Sequence, residues 1–114
     1  MSALILTTRH ARTGPVLAVV GILDHKSSEQ FRKAVDAITL QPGQLLTVDL
    51  AGLTLCDSTG ITALIAARNR THTQDADITL AAVPAHIVRI MRIVGLDRIF
   101  RFHPGIDGET DTPR

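Results

Sequence analysis

Four consecutive residues, Asp57-Ser58-Thr59-Gly60, bring a carboxylate, two hydroxyls and a glycine to the point where an apolar segment gives way to a helical pattern. Either Asp57 or Ser58 can be the N-cap of that helix, because both side chains can accept a hydrogen bond from a free backbone N–H, which stabilises a helix by about 1 kcal/mol. Gly60 has no side chain, and we expect it to leave the first helical turn open to an approaching partner. The motif is therefore a candidate site at the start of a helix.

Nucleophilic catalysis is the first chemistry to consider for Ser58. A nucleophilic serine needs a base such as histidine that a third group holds in place, and nothing in the sequence positions His25 for that role. The motif also differs from the Gly-x-Ser-x-Gly turn of hydrolases and lacks the glycines and the lysine of a phosphate-binding loop. No Cys and His residues have metal-ligand spacing. We predict that the protein is not an enzyme and that it binds no metal or cofactor.

A change of charge is the second chemistry open to a hydroxyl at a helix N-terminus. Phosphorylation adds about −1.5 to −2 charges and three acceptor oxygens, and a helix N-terminus stabilises negative charge by about 0.3–1 kcal/mol. The fold should therefore tolerate a phosphate on Ser58, whereas an acidic partner surface docked there would be repelled. The residue pattern leaves two interpretations open for Ser58, a plain helix cap or a switch for binding.

The elements that position this motif alternate along the chain. Apolar runs predict strands, and apolar residues at i, i+3, i+4 and i+7 predict helices. The predicted order is a strand at 3–8, a strand at 16–23, a helix that starts at a Ser-x-x-Gln capping box headed by Ser27, a strand at 45–50, a helix at 58–69, a strand at 78–83, a helix from Pro84 to a terminal Gly95, and an edge strand at 98–103. Strands that alternate with helices indicate parallel pairing, and the two opening strands indicate a hairpin.

This order predicts an α/β fold. We expect a single small domain over residues 1–103, with a mixed four- to five-stranded sheet and helices packed mainly on one face, followed by a flexible C-terminal tail at 104–114 that is rich in Gly, Pro and acidic residues. Partner sites in such sheets lie at the carboxyl ends of the strands. Asp24 directly follows the second strand, so we expect it beside Asp57 and Ser58. It can serve either as a local cap or as a partner contact.

The last predicted helix combines aliphatic and basic residues. Its expected buried stripe consists of Ile87, Ile90, Met91 and Val94. Three arginines alternate with these apolar positions, and we predict that they form a solvated face: Arg89, Arg92 and Arg98.

Composition narrows the classes of function. Of 114 residues, 45% are hydrophobic, and three Phe with no Trp or Tyr make the expected core aliphatic. A net charge of +1 and the scarcity of aromatic residues argue against a direct nucleic-acid partner. The single cysteine, Cys56, cannot form an internal disulfide and is predicted to be a small buried residue. With no signal peptide and no apolar run of membrane-spanning length, we predict a cytoplasmic protein without membrane insertion.

Three stretches in this order carry a resemblance to a known family: VVGILDHKSSEQF, LTVDLAGLTLCDSTGITAL and AAVPAHIVRIMRIVGLDRIF. Over residues 3–103 the chain resembles a STAS domain, and more closely a bacterial anti-sigma factor antagonist. The resemblance implies a protein that binds an anti-sigma factor with serine kinase activity and so frees the sigma factor. It also implies that the kinase phosphorylates Ser58, that the phosphorylated protein no longer binds, and that a phosphatase resets it.

The same resemblance assigns the neighbouring residues. Asp24 matches the aspartate of a Gly-x-Leu-Asp turn that lies beside the serine and contributes to partner binding; this chain departs from the pattern in having Ile22 at a position that is usually polar. The partner-binding residues are then Asp24, Asp57, Ser58, Thr59 and Gly60. Two alternatives stay open within the family: a STAS subunit of a stress-signalling scaffold, and a STAS accessory subunit of a membrane lipid or anion transporter that needs no phosphorylation.

Overall fold

Six strands and three α-helices follow one another in the computed structural model, which describes residues 4–103. The strands are β1 (Leu4–Ala11), β2 (Gly14–Leu23), β3 (Leu45–Asp49), β4 (Leu53–Cys56), β5 (Asp77–Ala81) and β6 (Arg101–His103). The α-helices are α1 (Ser28–Asp36), α2 (Ser58–Thr73) and α3 (Ala85–Ile93), and a short 3-10 helix spans Leu96–Arg98. The predicted flexible tail, residues 104–114, lies outside the described residues.

The strands form one mixed sheet, which confirms the predicted fold class. Its order is β1-β2-β3-β5-β6, and β4 pairs with β2 beyond the end of β3. β1 and β2 form the expected antiparallel hairpin, whereas every other pairing is parallel. The ten-residue β2 therefore has two parallel neighbours, β3 along its first half and β4 along its second.

β4 is a strand that the sequence pattern did not predict. Its four residues read buried, exposed, exposed, buried, so they lack the strict alternation that marks a half-buried strand. The register between β2 and β4 also shifts at Gly21, as in a β-bulge. An irregular pairing of this kind cannot be recognised from periodicity.

One face of the sheet carries the hydrophobic core. α1 and α2 pack against each other and against the strands, and the core is almost wholly aliphatic, as the composition predicted. Phe31 of α1 and Leu64 of α2 are completely buried in it. On the opposite face, Ile5 and Val20 lie side by side in register and are both exposed. The helices are thus mainly on one side, in agreement with the prediction.

The predicted capping box of α1 is wrong. Ser27 does occupy the N-cap position, but its hydroxyl makes no cap hydrogen bond and instead donates to the Ile22 carbonyl at 2.8 Å. The Gln30 side chain donates to the Leu4 carbonyl at 3.0 Å rather than turning back to Ser27. The ends of two strands attract these side chains, a tertiary effect that a four-residue pattern does not contain.

α2 is longer than predicted and ends at Thr73 rather than near Asn69. The last four residues of α2, which the predicted helix at 58–69 left out, include Thr71 and Thr73, whose hydroxyls donate to the carbonyls of Arg68 and Arg70 at 2.7 and 2.6 Å. These bonds satisfy the hydroxyls within the helix. Thr71 is also completely buried, so the last turn of α2 packs against the protein interior.

α3 buries only half of its predicted stripe. Ile87 and Met91 are buried, as expected, but Ile90 and Val94 are exposed. The helix ends at the predicted place, since Gly95 adopts the left-handed conformation with φ of +82° that terminates a helix. The protein therefore covers only the side of α3 that carries Ile87 and Met91.

Candidate functional site

The candidate site is built where β2 and β4 end together. Leu23 and Cys56 are paired as the last residues of these parallel strands, so Asp24 and Asp57 leave the sheet at the same edge. The Asp57 N–H donates to the Leu23 carbonyl at 3.3 Å. The predicted clustering of Asp24 with the Asp57-Ser58-Thr59-Gly60 motif is confirmed. We call the surface formed by Asp24, Asp57, Ser58 and Thr59 the Ser58 edge.

Asp57 is the N-cap of α2. Its backbone is extended, with φ −93° and ψ −173°, and its Oδ1 accepts a hydrogen bond from the Gly60 N–H at 2.9 Å. Its carbonyl accepts the first helical hydrogen bond, from the Ile61 N–H at 2.9 Å. Of the two candidates for the cap, the structure selects the aspartate. Ser58 is therefore not the N-cap.

Ser58 is the first residue of α2, and it is exposed. Within residues 4–103 no hydrogen bond engages its hydroxyl, and its carbonyl accepts a hydrogen bond from the Thr62 hydroxyl at 2.9 Å. The first turn of α2 contains no acidic residue. An accessible hydroxyl therefore lies at the positive end of a sixteen-residue helix, where an added negative charge is favoured.

Gly60 does not leave a gap for a partner, and that expectation is wrong. The residue is buried beneath the edge, and a Cβ atom built on it would lie 2.4 Å from the Leu23 carbonyl oxygen and 2.8 Å from Cys56 Sγ. The glycine is required because the first turn of α2 packs directly against the ends of β2 and β4. It supports the Ser58 edge from inside, by letting the helix start this close to the sheet.

Asp24 holds together the turn between β2 and α1. Its Oδ1 accepts hydrogen bonds from the Lys26 and Ser27 N–H groups at 3.0 and 3.2 Å, and its own N–H donates to Ser27 Oγ at 3.0 Å. Partial burial pushes the pKa of Asp24 upward, but the hydrogen bonds from Lys26 and Ser27 outweigh it and hold the pKa below its ordinary value of 3.8. Asp24 is therefore ionised at neutral pH and acts as a local cap; its role as a partner contact stays a prediction.

Cys56 is the small buried residue that we predicted. Its Sγ lies 3.7 Å from the Asp57 carbonyl oxygen. Burial, and to a lesser extent the charge of Asp57, raise the pKa of the thiol to about 11. The thiol is protonated at neutral pH, so it is a poor nucleophile even though it is adjacent to the Ser58 edge.

Two residues of the site were not predicted from the sequence. The His25 N–H donates to Asp57 Oδ2 at 3.3 Å, and its exposed ring places Nδ1 at 3.9 Å from the same oxygen. Leu55 of β4 is 54% exposed three residues before Ser58. The signal for His25 was its position directly after Asp24. Leu55 gave no signal, because β4 was not recognised.

Comparison with known proteins identifies one family and several solved structures of the same fold. A sequence profile of the family described as "Mlab, STAS domain" matches residues 6–102. An anti-sigma factor antagonist from Mycobacterium paratuberculosis is similar in structure at 20% identity, with a TM-score of 0.79 over 91% of this chain and 88% of that chain. At this identity, the structural likeness is evidence for the fold alone.

Two further structures are similar to this chain. A sulfate transporter family protein from Wolinella succinogenes has a TM-score of 0.71 at 16% identity, over 81% of this chain and 77% of that chain. The Bacillus cell fate determinant SpoIIAA in its phosphorylated form has a TM-score of 0.64 at 17% identity, over 88% of this chain and 92% of that chain. In residues 4–103 of the present chain, no helix is long and apolar enough to cross a membrane.

Proposed function

The chain belongs to the family of STAS domains, and from this premise we propose that it is an anti-sigma factor antagonist whose binding is switched off by phosphorylation of Ser58. In this proposal the Ser58 edge docks on an anti-sigma factor with serine kinase activity, and the sigma factor is released. The kinase phosphorylates Ser58, the complex dissociates, and a phosphatase restores the binding form. The protein itself catalyses no reaction in this cycle.

The observation that carries the proposal is the free, exposed hydroxyl of Ser58 at the first position of α2. A kinase needs a hydroxyl that is accessible to it. A partner whose binding depends on phosphorylation must contact the Ser58 edge. Because Asp57 already caps the helix through Oδ1, a change at Ser58 removes no structural bond. The similar structures include the anti-sigma factor antagonist from Mycobacterium paratuberculosis and the anti-sigma factor antagonist SpoIIAA, and SpoIIAA exists in a phosphorylated form.

The charges around Ser58 explain how a phosphate would act on binding. Asp24 and Asp57 already make the edge acidic, and a phosphoserine would add about −1.5 to −2 charges between them and the partner. The helix N-terminus partly compensates that charge within the protein. A docked partner surface has no such compensation unless it is basic, so the expected result is loss of the complex without loss of the fold.

The experiment combines phosphorylation with binding. Incubation with a candidate anti-sigma kinase and ATP, followed by intact mass measurement and peptide mapping, should place one phosphate on Ser58. Ser58→Ala should accept no phosphate and keep the complex, whereas Ser58→Asp should lose it. Thr59→Ala is the matched control, since it removes the adjacent hydroxyl and should still be phosphorylated. Phosphate on Thr59, or a Ser58→Asp variant that binds as well as the wild type, contradicts the proposal.

A second candidate is an accessory subunit of a membrane transporter. The similarity to a sulfate transporter family protein supports it. In that case the Ser58 edge would bind a transporter component, and Ser58 would contribute as an uncharged contact. Co-purification with a membrane ATPase or transporter, with no phosphate on the protein under any condition, would favour this function over the first.

A further inference from the structure

We propose that α3 and the adjacent end of β4 form a second docking surface, which binds an acidic amphipathic helix of a protein partner. The surface consists of Leu55, His86, Arg89, Ile90, Arg92 and Ile93, and we call it the α3 flank. Leu55 lies three residues before Ser58, but the binding proposed here involves no phosphorylation and goes beyond the proposed function. The first observation is exposure, since Ile93 is 79% and Leu55 is 54% exposed.

The exposed residues of α3 form two parallel rows. Successive residues of an α-helix are about 100° apart, so Ile93, His86 and Ile90 follow one another on one side of the exposed arc. Arg89 and Arg92 occupy the other side. The row of Ile93, His86 and Ile90 is about two turns long, whereas Arg89 and Arg92 are less than one turn apart, and the two rows are adjacent. A partner helix with an apolar stripe beside an acidic stripe could pack the apolar stripe on the row that contains Ile90 and Ile93 and pair the acidic stripe with Arg89 and Arg92.

The apolar row continues onto the sheet. His86 Nε2 lies 3.2 Å from the Thr54 carbonyl oxygen of β4, which fixes the start of α3 beside that strand. Leu55, the next residue of β4, is exposed at this point. The α3 flank therefore extends from Ile93 across His86 to Leu55.

Charge identifies the partner. Within residues 4–103 no carboxylate makes an ion pair with Arg89, Arg92 or Arg98, and Asp97 is the only acidic residue between positions 85 and 99. Exposed arginines next to aliphatic side chains favour a partner that brings carboxylates and an apolar stripe together.

A membrane surface fits the α3 flank less well. A helix that lies in a bilayer interface buries its apolar face in the lipid and keeps its charges on the opposite face. In α3 the residues opposite the arginines, Ile87 and Met91, are already buried in the protein core. What remains is a single apolar row directly beside a basic row, which matches the side of another helix better than a plane of lipid.

The test uses two stapled helical peptides of 14 residues, with the same leucine stripe but either a row of glutamates or a row of lysines beside it. Fluorescence anisotropy should give a dissociation constant about tenfold lower for the glutamate peptide. Amide NMR shifts on binding should fall on residues 86–94 and 54–55. Arg89→Glu combined with Arg92→Glu should reverse the preference between the peptides, whereas Arg12→Glu, in the exposed turn between β1 and β2, should not.

Ile93→Ser should raise the dissociation constant of the glutamate peptide by about fivefold to tenfold, as expected for the loss of one exposed aliphatic contact. The matched control is Ile5→Ser, which removes another exposed isoleucine, 62% accessible, from the face of the sheet opposite the core. Equal affinity for both peptides, or equal effects of the two serine variants, overturns the proposal. The proposal is also overturned if neither peptide binds and the protein instead sediments with vesicles of phosphatidylcholine and phosphatidylglycerol, provided that Ile93→Ser abolishes this sedimentation. Ser58 is unchanged in every arm, so these failures would leave the proposed function intact.

Discussion

The starts of α1 and α2 use the same residue types for opposite purposes. β2 and β4 are parallel neighbours, and α1 follows β2 as α2 follows β4. In both cases an aspartate follows the strand and a serine is the first residue of the helix. At α1 the serines are buried, and the Ser27 hydroxyl is held between the Ile22 carbonyl and Asp24. At α2 the aspartate does the capping and the Ser58 hydroxyl is exposed. The comparison shows that a serine becomes available for modification when its neighbour takes over the structural hydrogen bonds.

The largest expected effect concerns Gly60, which brings α2 close enough to the sheet for Ser58 to lie at the edge. Gly60→Ala should lower the free energy of unfolding by about 2–3 kcal/mol, because its Cβ would clash with the Leu23 carbonyl and the backbone must move. Urea denaturation measures this change. Ser58→Ala, two residues away and exposed, is the control and should leave stability within about 0.5 kcal/mol. A Gly60→Ala variant as stable as the wild type would mean that α2 does not pack as described.

The second effect tests the difference between the two serines directly. Ser27→Ala should cost about 1–2 kcal/mol, since it leaves the Asp24 N–H without its acceptor and the Ile22 carbonyl without its donor in a partly buried turn. Ser58→Ala removes a hydroxyl that has no partner among the described residues. Thermal or urea unfolding of both variants under the same conditions gives the comparison. Equal losses for the two serines would remove the distinction between them.

Much of this comparison could be predicted from the sequence. The alternation of strand and helix patterns was sufficient for the fold class, and the helix start at Ser58 was visible from Asp57 and the apolar spacing that follows. The inward position of Gly60 was not, because it depends on the approach of Leu23, a residue far away in the chain. The bonding of Ser27 to Ile22, five residues earlier, depends on how β2 ends and lies outside the four-residue capping pattern. In each case a tertiary neighbour decides what a local pattern leaves open.

The covered side of α3 was unpredictable for a related reason. Its apolar residues occupy more of the helix circumference than the core can bury, so periodicity alone could not separate the buried pair, Ile87 and Met91, from the exposed pair, Ile90 and Val94. An excess of apolar residues on a short helix is compatible with either a wider core or a docking surface. The tertiary packing around α3 decides between them, and the spacing of apolar residues along the helix does not contain that information.

The third effect is a pH dependence of the free energy of unfolding, which arises from Asp24 in the turn before α1. The pKa of Asp24 is lower in the folded protein than its ordinary value of 3.8, so its hydrogen bonds stabilise the fold fully above that pH. The contribution is lost as the pH falls below 3.8 and through the folded-state pKa. Stability measured between pH 6 and pH 2.5 should therefore fall less steeply in Asp24→Asn than in the wild type. If both proteins lose stability with the same slope, the turn does not depend on the ionised carboxylate.

The smallest expected change in stability is that of Ser58→Asp, although it should have the largest effect on partner binding. The added carboxylate interacts favourably with the N-terminus of α2, by about 0.3–1 kcal/mol, and unfavourably with the neighbouring Asp57. These opposing interactions should leave the free energy of unfolding within about 0.5 kcal/mol of the wild type. Added salt screens both interactions, so urea denaturation at low and high ionic strength should show little difference between the two proteins. A loss of several kcal/mol would indicate that Ser58 supports the fold, and any loss of binding by this variant would then reflect damage to the edge instead of the added charge. An unchanged stability makes the binding measurement interpretable, because the variant would then differ from the wild type only in the charge that it presents at the Ser58 edge.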